Sequence, residues 1–565
     1  MTDLRNVPPA SADAVAPSRP VLVLVSSSPA PEPPPSPPAP TALPSLPFHP
    51  AIYAGTALLL GITQGLGINL LTANLTGLQA SFGATQTEVG WLSAAYFATN
   101  MTGTLVLFKV RTQFGLRRFA EIGILIYVAV VVAHLFTNDL RSALLVRAMM
   151  GIAAAPLSTL AFFYMLEWLP PARKMSIGLC FGLLGSGLAV PIARVISPEL
   201  LQIGEWHGLY LLEAGLALVS LAAIFLVPIT QPPRAQVFDR DDLISFPLLG
   251  IGLGCLAVVA SMGRSYWWLE APWLGILLAT GIAALLVLAL IELHRKNPII
   301  DLRWLSSGDM LTFAGSLIIF RLLLSEQSVG AIGLFTALGM VNDQLAPLFL
   351  VIGIATLAGT VIVAMLIKPG STPMLHLLAL AMIAAGAWLD SQSTVLTRPE
   401  QFYVSQALMG LAAAIFLPPA LGTGFAKALA GGPKYVLSFL TVFLTTQTFG
   451  GLLGSAVFQT FVTIREQFHS NVIAQGMTLL DPNVAQRVTA YGGAYARVLT
   501  DPAQRNAEGV VLLGQIATQQ ANVLAYNDMF SVIFVGALVA MAALLIHMLV
   551  DALNKPKLQI EAKAS

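Results

Sequence analysis

Charge is what this chain has least of. Only 10% of its 565 residues are Asp, Glu, Lys or Arg, against about a quarter in soluble domains, and that scarcity excludes an ordinary water-soluble globule. The net charge is +1, which removes any electrostatic basis for nucleic-acid binding. The two cysteines, Cys180 and Cys255, both lie in apolar runs. They supply neither a disulfide framework nor metal-ligand spacing and read as small buried hydrophobes. No G-x-x-x-x-G-K-[ST], H-E-x-x-H or G-x-S-x-G motif occurs. ATP hydrolysis and the commoner hydrolase chemistries are therefore not indicated, and no cofactor or metal is expected.

Hydrocarbon is what the chain has most of. Hydrophobic residues make up 56% of it, with a mean hydropathy of +0.78. They cluster into runs such as "GILLATGIAALLVLALIEL" (275–293) and "VIFVGALVAMAALLIHMLV" (532–550), near the roughly 20 residues that cross ~30 Å of lipid. An all-α polytopic membrane protein follows. Fourteen spans are expected, over 51–71, 88–108, 119–137, 142–165, 175–196, 208–228, 244–262, 271–293, 310–335, 345–367, 373–391, 402–424, 436–460 and 528–550. With the N-terminus in the cytoplasm, 19 of the 29 Lys and Arg face inward, seven face outward, and Arg147, Arg194 and Arg321 fall in spans. The positive-inside rule thus predicts both termini cytoplasmic. Residues 1–48 differ: "SSSPAPEPPPSPPAPTALPSLP" (26–47) reads as a disordered, partly polyproline tail. "VLVLV" (21–25) is too brief for a signal-peptide core.

Three stretches resemble the EmrB/QacA-like fourteen-helix drug:proton antiporters of the major facilitator superfamily. They are "LLVRAMMGIAAAPLSTLAFFYMLEWLPPARKMSIGLCFG" (144–182), "IELHRKNPIIDLRWL" (291–305) and "QIATQQANVLAYNDMF" (515–530). The resemblance implies a major facilitator fold, with two six-helix bundles and two inserted helices. Domains are then a cytoplasmic tail 1–48, a first bundle 49–230, the insert 231–305, a second bundle 306–553 with an external loop 461–527, and a tail 554–565. It further implies efflux of small amphipathic compounds in exchange for protons across a bacterial inner membrane, the two bundles rocking around a midplane site. Membrane lipid, a small-molecule substrate and protons are the implied partners, and the external loop leaves room for a periplasmic adaptor and outer-membrane channel. A carrier of another metabolite, or a transporter-like scaffold or sensor, remains open.

Several positions carry the family's motifs or depart from them. Arg147 with Gly151 matches the fourth-helix R-x-x-x-G pattern, which implies proton transfer or tuning of a nearby carboxylate. "FKVRTQFGLRRF" (108–119) stands where the superfamily has a gating loop: Gly103, Arg111, Gly115, Arg117 and Arg118 match in kind, but Lys109 and Val110 replace the usual aspartate. In the fifth span Gly185, Gly187 and Pro191 keep part of a glycine-proline run that allows close packing, and Arg194 is expected to snorkel at its external end. The first span, "LLLGITQGLGINLLTANL" (58–75), offers Thr63, Gln64 and Asn69 where many members have a proton-coupling aspartate.

That loss raises the interest of the remaining carboxylates. Glu213 and Glu326 lie within spans, whereas Glu167, Glu292 and Asp390 sit at span ends where water is expected to reach them. In "SLIIFRLLLSEQSVG" (316–330), Arg321 and Glu326 are five residues apart, about 140° around a helix, so each needs its own partner; Arg194 and Glu213 are candidates. Intramembrane ionisable groups are functional candidates by default. Proton coupling is assigned to Glu326, modulated by Arg321, with Glu213 as second choice. Gln406, Phe416, Phe443 and Gln447, with Gln64 and Asn69, are the expected substrate-facing groups.

Overall fold

A computed structural model describes residues 48–564 apart from 171–172, 205, 232–233, 235, 296–297 and 369. The Pro-rich tail lies, but for its last residue, outside the described residues. Every regular element described is helical. The first half comprises α1 (Pro50–Ala73), α2 (Leu75–Phe82), α3 (Gln86–Phe114), α4 (Leu116–His134), α5 (Leu140–Glu167), α6 (Leu179–Gly204) and α7 (Trp206–Leu226). Two helices follow, α8 (Asp242–Met262) and α9 (Pro272–His294), then a short α10 (Leu302–Leu305). The second half comprises α11 (Gly308–Leu323), α12 (Ile332–Ala337), α13 (Asn342–Leu366), α14 (Thr372–Asp390), α15 (Tyr403–Gly431), α16 (Pro433–Gly476), α17 (Pro482–Gly493) and α18 (Pro502–Ala564).

Local chemistry fixes the boundaries. Pro50 starts α1 where its missing N–H is harmless. Thr85 and Glu88 cap α3 reciprocally, and the Asp139 carboxylate accepts the first amides of α5. The stretch 108–119 is not a loop: α3 runs to Phe114, α4 starts at Leu116, and one glycine, Gly115 at φ +91°, makes the turn.

Each of the fourteen expected spans falls on a helix, but by length and hydropathy twelve helical stretches among the described residues can cross a membrane. Those over the second and third expected spans fall short on composition. α3, 29 residues long, carries Lys109 and Arg111 with interior Thr and Asn; α4, 19 residues long, opens on Arg117, Arg118 and Glu121. The ninth span is interrupted, since Glu326–Ala331 between α11 and α12 is a π-helical segment, a feature often found at functional sites.

The apolar interior forms two large clusters. One joins α1 and α3–α7 around Tyr53, Tyr127 and Leu157; the other joins mainly the helices from α11 to α18 around Phe320, Phe335, Phe349 and Phe530. Between the halves, α6 packs on α13, with Gly187 facing Thr356 and Gly353 facing Pro191. α8 and α9 pack on each other, and α8 leans on α3 and α16.

We call the face where α1 begins proximal and the opposite face distal. At the distal face α16 overshoots: its 44 residues span about 66 Å, twice the hydrocarbon thickness. Much of 461–527 is therefore a continuation of α16 and α18, with α17 packed on α18.

Candidate functional site: buried charges in the two halves

Two clusters of buried ionisable groups lie inside the helical bundle, one in each half. In the first, Arg147 of α5 is 1% exposed and donates from Nη1 to the Gly67 carbonyl of α1 at 2.8 Å. Its guanidinium stands 5.8 Å from the Tyr210 ring centroid. Glu213 of α7, also 1% exposed, accepts from the Tyr127 hydroxyl at 3.3 Å. Arginine and glutamate converge on Gly67, where an added Cβ would lie 3.0 Å from Glu213 Oε1 and 3.3 Å from the Tyr127 hydroxyl. A side chain there would wedge the cluster apart. Gly151, one turn after Arg147, lets α5 meet α3 at backbone distance. Asn100 Nδ2 donates to its carbonyl at 2.8 Å, and a Cβ would overlap Thr99 and the Tyr96 carbonyl. Gly103 extends the same contact onto Ile152.

The expected polar residues of α1 divide. Gln64 is half-buried, its side chain facing the buried Tyr96 hydroxyl. Asn69 spends its amide on the Gly65 carbonyl at 2.8 Å, a bond within its own helix.

In the second half Glu326, 0% exposed, opens the π-helical segment. Its partner is Gln406 of α15, also fully buried. Gln406 Nε2 donates to both Glu326 oxygens at 3.0 and 3.1 Å and to Asp390 Oδ2 at 2.9 Å. Asp390 was expected at a wet span end but is 1% exposed: it is the last residue of α14, and the start of α15 covers it. Gln406 is thus a bridge between two carboxylates, not a cavity wall.

Arg321 points elsewhere, against α16. A Cβ on Gly451 would lie 2.7 Å from its Nη2, and one on Gly450 3.0 Å from its Cβ; its Nε has no hydrogen-bond partner. Arg321 and Glu326 diverge, as five-residue spacing requires. Phe416 is buried in the second core, stacked between Phe320 and His376. Phe443 is buried beside Phe439. Gln447 is half-buried with its Nε2 unpartnered.

Lys109, Arg111 and Gly115 of the gating stretch are engaged from outside their own helices. Lys109, 2% exposed, pairs with Asp242 of α8 at 2.7 Å. Asp242 also takes Arg295 Nη2 at 2.8 Å, and Arg295 Nη1 reaches Glu292 at 2.8 Å. Glu292 was expected to be wet but is 3% exposed, because Arg295 and Ser245 enclose it. The Arg234 side chain lies over Gly115, and Gln113 Oε1 accepts from the Val237 amide at 2.8 Å. Arg111 stacks 4.5 Å from the Phe163 centroid. Arg117 pairs with Glu121 at 2.7 Å on an exposed surface, and Arg118 is exposed.

Distal contacts join the two halves and the insert. Arg194 does not simply snorkel. It donates to Asn342 Oδ1 at 2.6 Å, and Asn342 Nδ2 donates to the Ala73 carbonyl at 2.7 Å and to Asn74 Oδ1 at 3.2 Å. This ties α6 and the end of α1 to the start of α13; deeper along α6, Gly187 and Pro191 face α13, and Gly185 touches Gly61 of α1 backbone to backbone. The turn between α8 and α9 holds α16 through Arg264 to Thr463 and Gln459 and Trp268 to Thr460, at 2.9–3.2 Å.

Asp242, Arg295 and Asn342 were not singled out from the sequence, and Lys109 and Asp390 were noted there without a site role. Lys109 carried the one available clue: a lysine where the gating pattern has an acid asks for a carboxylate from another element.

The sequence of residues 57–455 matches the model of the Major Facilitator Superfamily. The puromycin resistance protein pur8 of Streptomyces alboniger is 26% identical over 426 residues, covering 72% of this chain and 80% of that protein. The multidrug export protein EmrB of Escherichia coli K12 is 22% identical over 410 residues, covering 70% and 75%. The fatty acid resistance protein FarB of Neisseria gonorrhoeae is 24% identical over 271 residues, covering 45% and 51%. In fold, the chain resembles the human organic anion transporter MFSD10, with a TM-score of 0.54 at 13% identity over 87% of this chain and 100% of that one. The chain is a multi-pass membrane transporter, not an enzyme, and it belongs to the major facilitator superfamily.

Proposed function

We propose that this transporter exports small amphipathic compounds from a bacterial cell in exchange for protons, by alternating access between its two halves. One observation carries the reading: each half buries a carboxylate inside a membrane-spanning stretch, Glu213 at 1% and Glu326 at 0% exposure. Such groups are retained in lipid at a high energetic cost and mark ion or proton pathways. Relatives named for resistance to puromycin, multiple drugs and fatty acids support the substrate class. The positive-inside count makes the proximal face cytoplasmic, with both termini there, and the distal face periplasmic. Rocking would use the α6–α13 seam, and opening toward the periplasm would break the Arg194–Asn342–Ala73 contacts. The long α16–α18 extension then projects into the periplasm, where an adaptor leading to an outer-membrane channel could seat.

A sensor or scaffold is the second reading, favoured by the first helix, whose Gln64 and Asn69 do not titrate. Proton release from inverted vesicles, triggered by a panel of dyes and antibiotics, separates the two. Compound-dependent release that fails in Glu326→Gln or Glu213→Gln supports antiport. No release with any compound in the unmodified protein sinks the exporter reading.

A further inference from the structure

Two carboxylates around one neutral amide is an unbalanced arrangement, and it deepens the reading just given. We propose that Glu326 and Asp390 form one site that holds a single proton between them, with Gln406 as the positioning residue. The inference rests on proton coupling only for its purpose; the site itself is argued from geometry.

Gln406 has two N–H groups. They serve three oxygens, Glu326 Oε1 and Oε2 at 3.0 and 3.1 Å and Asp390 Oδ2 at 2.9 Å. Both carboxyls are therefore gathered on one nitrogen. No Lys, Arg or His nitrogen lies within 4.0 Å of either among the described residues. With both ionised, two like charges would face each other with no counter-charge at low exposure, which the interior does not tolerate. One proton removes one charge and supplies the missing donor, an O–H from one carboxyl to the other.

The surrounding elements leave the pair isolated. On α11, Arg321 is turned toward Gly450 and Gly451. On α15, Ser405 and Gln406 are the groups that act on it. On α16 and α18, Arg465, His469 and Asp528 are satisfied by one another at 2.6 and 2.7 Å. Gln406 Oε1 is buried and unpartnered, so the amide is held by its donors alone.

Location suggests use. Asp390 ends α14 at the distal face, next to the turn that begins at Ser391, while Glu326 sits on the π-helical segment. A proton arriving from the distal side would meet Asp390 first. A shift of the π turn would pull Glu326 away from its partner and force the proton to leave one of them.

The test is infrared difference spectroscopy of the full chain in lipid, in sodium- and potassium-free buffer, across a pH series. A Glu213→Gln background isolates the pair. The expected result is a protonated-carboxyl band titrating as one proton. In Asp390→Asn the band persists, with its midpoint moved at least about one pH unit toward acid, a tenfold loss of proton affinity, because a like charge is gone. In Glu326→Gln/Asp390→Asn it vanishes. A band unchanged in the double variant, or two separate one-proton transitions, would each overturn the proposal. If the double variant does not fold, the Asp390→Asn midpoint decides alone: an unmoved midpoint overturns sharing. The band does not depend on transport. A shared proton with no compound-triggered proton release would leave this inference standing and sink the exporter reading.

Discussion

The two halves surround their buried carboxylates with opposite company. In the first half Glu213 has an arginine in its cluster, the two meeting at Gly67, with tyrosines around them. In the second half Glu326 has a second acid and an amide, and no cation in contact among the described residues. Arginine does not lose its charge in proteins, so the first cluster keeps a permanent cation whatever the state of its carboxyl. An acid pair changes its charge whenever a proton comes or goes. On the proposed reading, a proton would bind beside a permanent cation in the first cluster and between two acids in the second. A third cluster, Lys109–Asp242–Arg295–Glu292, has two cations and two carboxylates in direct contact; nothing there calls for a proton, and it serves as a control.

Breaking the contrast starts with its cation. Arg147→Leu should lower compound-stimulated proton release in inverted vesicles at least tenfold, about 1.4 kcal/mol, and Arg147→Lys should restore little, because a lysine lacks the guanidinium fork that reaches Gly67. Next comes the control. Lys109→Met should destabilise the purified protein by about 2 kcal/mol in thermal unfolding, less than the usual ~3–5 for a broken buried pair because Arg295 still holds Asp242, with the pH profile of transport unmoved. A moved profile would mean that the third cluster is not a passive one. Gln406→Leu takes away the donor that favours charged carboxylates, so the pH profile of transport should shift to alkaline values by about one unit. The smallest effect belongs to Arg117→Ala, which breaks an exposed ion pair with Glu121; stability should change by less than about 0.5 kcal/mol and transport not at all.

Hydropathy made most of the fold legible, since lipid imposes the same requirement on every span and the apolar runs reveal it residue by residue. Burial at helix ends was not legible in that way. Asp390 and Glu292 both close apolar runs, and sequence alone suggests water beside them. Whether a helix end is wet depends on what the next element covers, and α15 and Arg295 cover these two. Pairing was harder still. Glu326, Asp390 and Gln406 come from three helices, and no local pattern links them. Divergence within one helix was predictable: Arg321 and Glu326 had to point apart by angular spacing, and they do. Phe416 and Phe443 lie in the core for a simpler reason. An aromatic on a helix with apolar neighbours is core far more often than binding surface, and both are packed in the second core.

The insert is attached unequally to the two halves. At the proximal end, one buried ion pair at 2.7 Å fastens α8 to α3. At the distal end, its turn meets α16 through hydroxyl and amide bonds, with Arg264 exposed, and water can replace such bonds at little loss. If the halves tilt, the insert must travel with the first like an outrigger bolted to one hull. The second half then slides along it, trading one set of side-chain handholds on α16 for another. On that view the added helices carry no cargo of their own; they fix which half is the frame and which half moves.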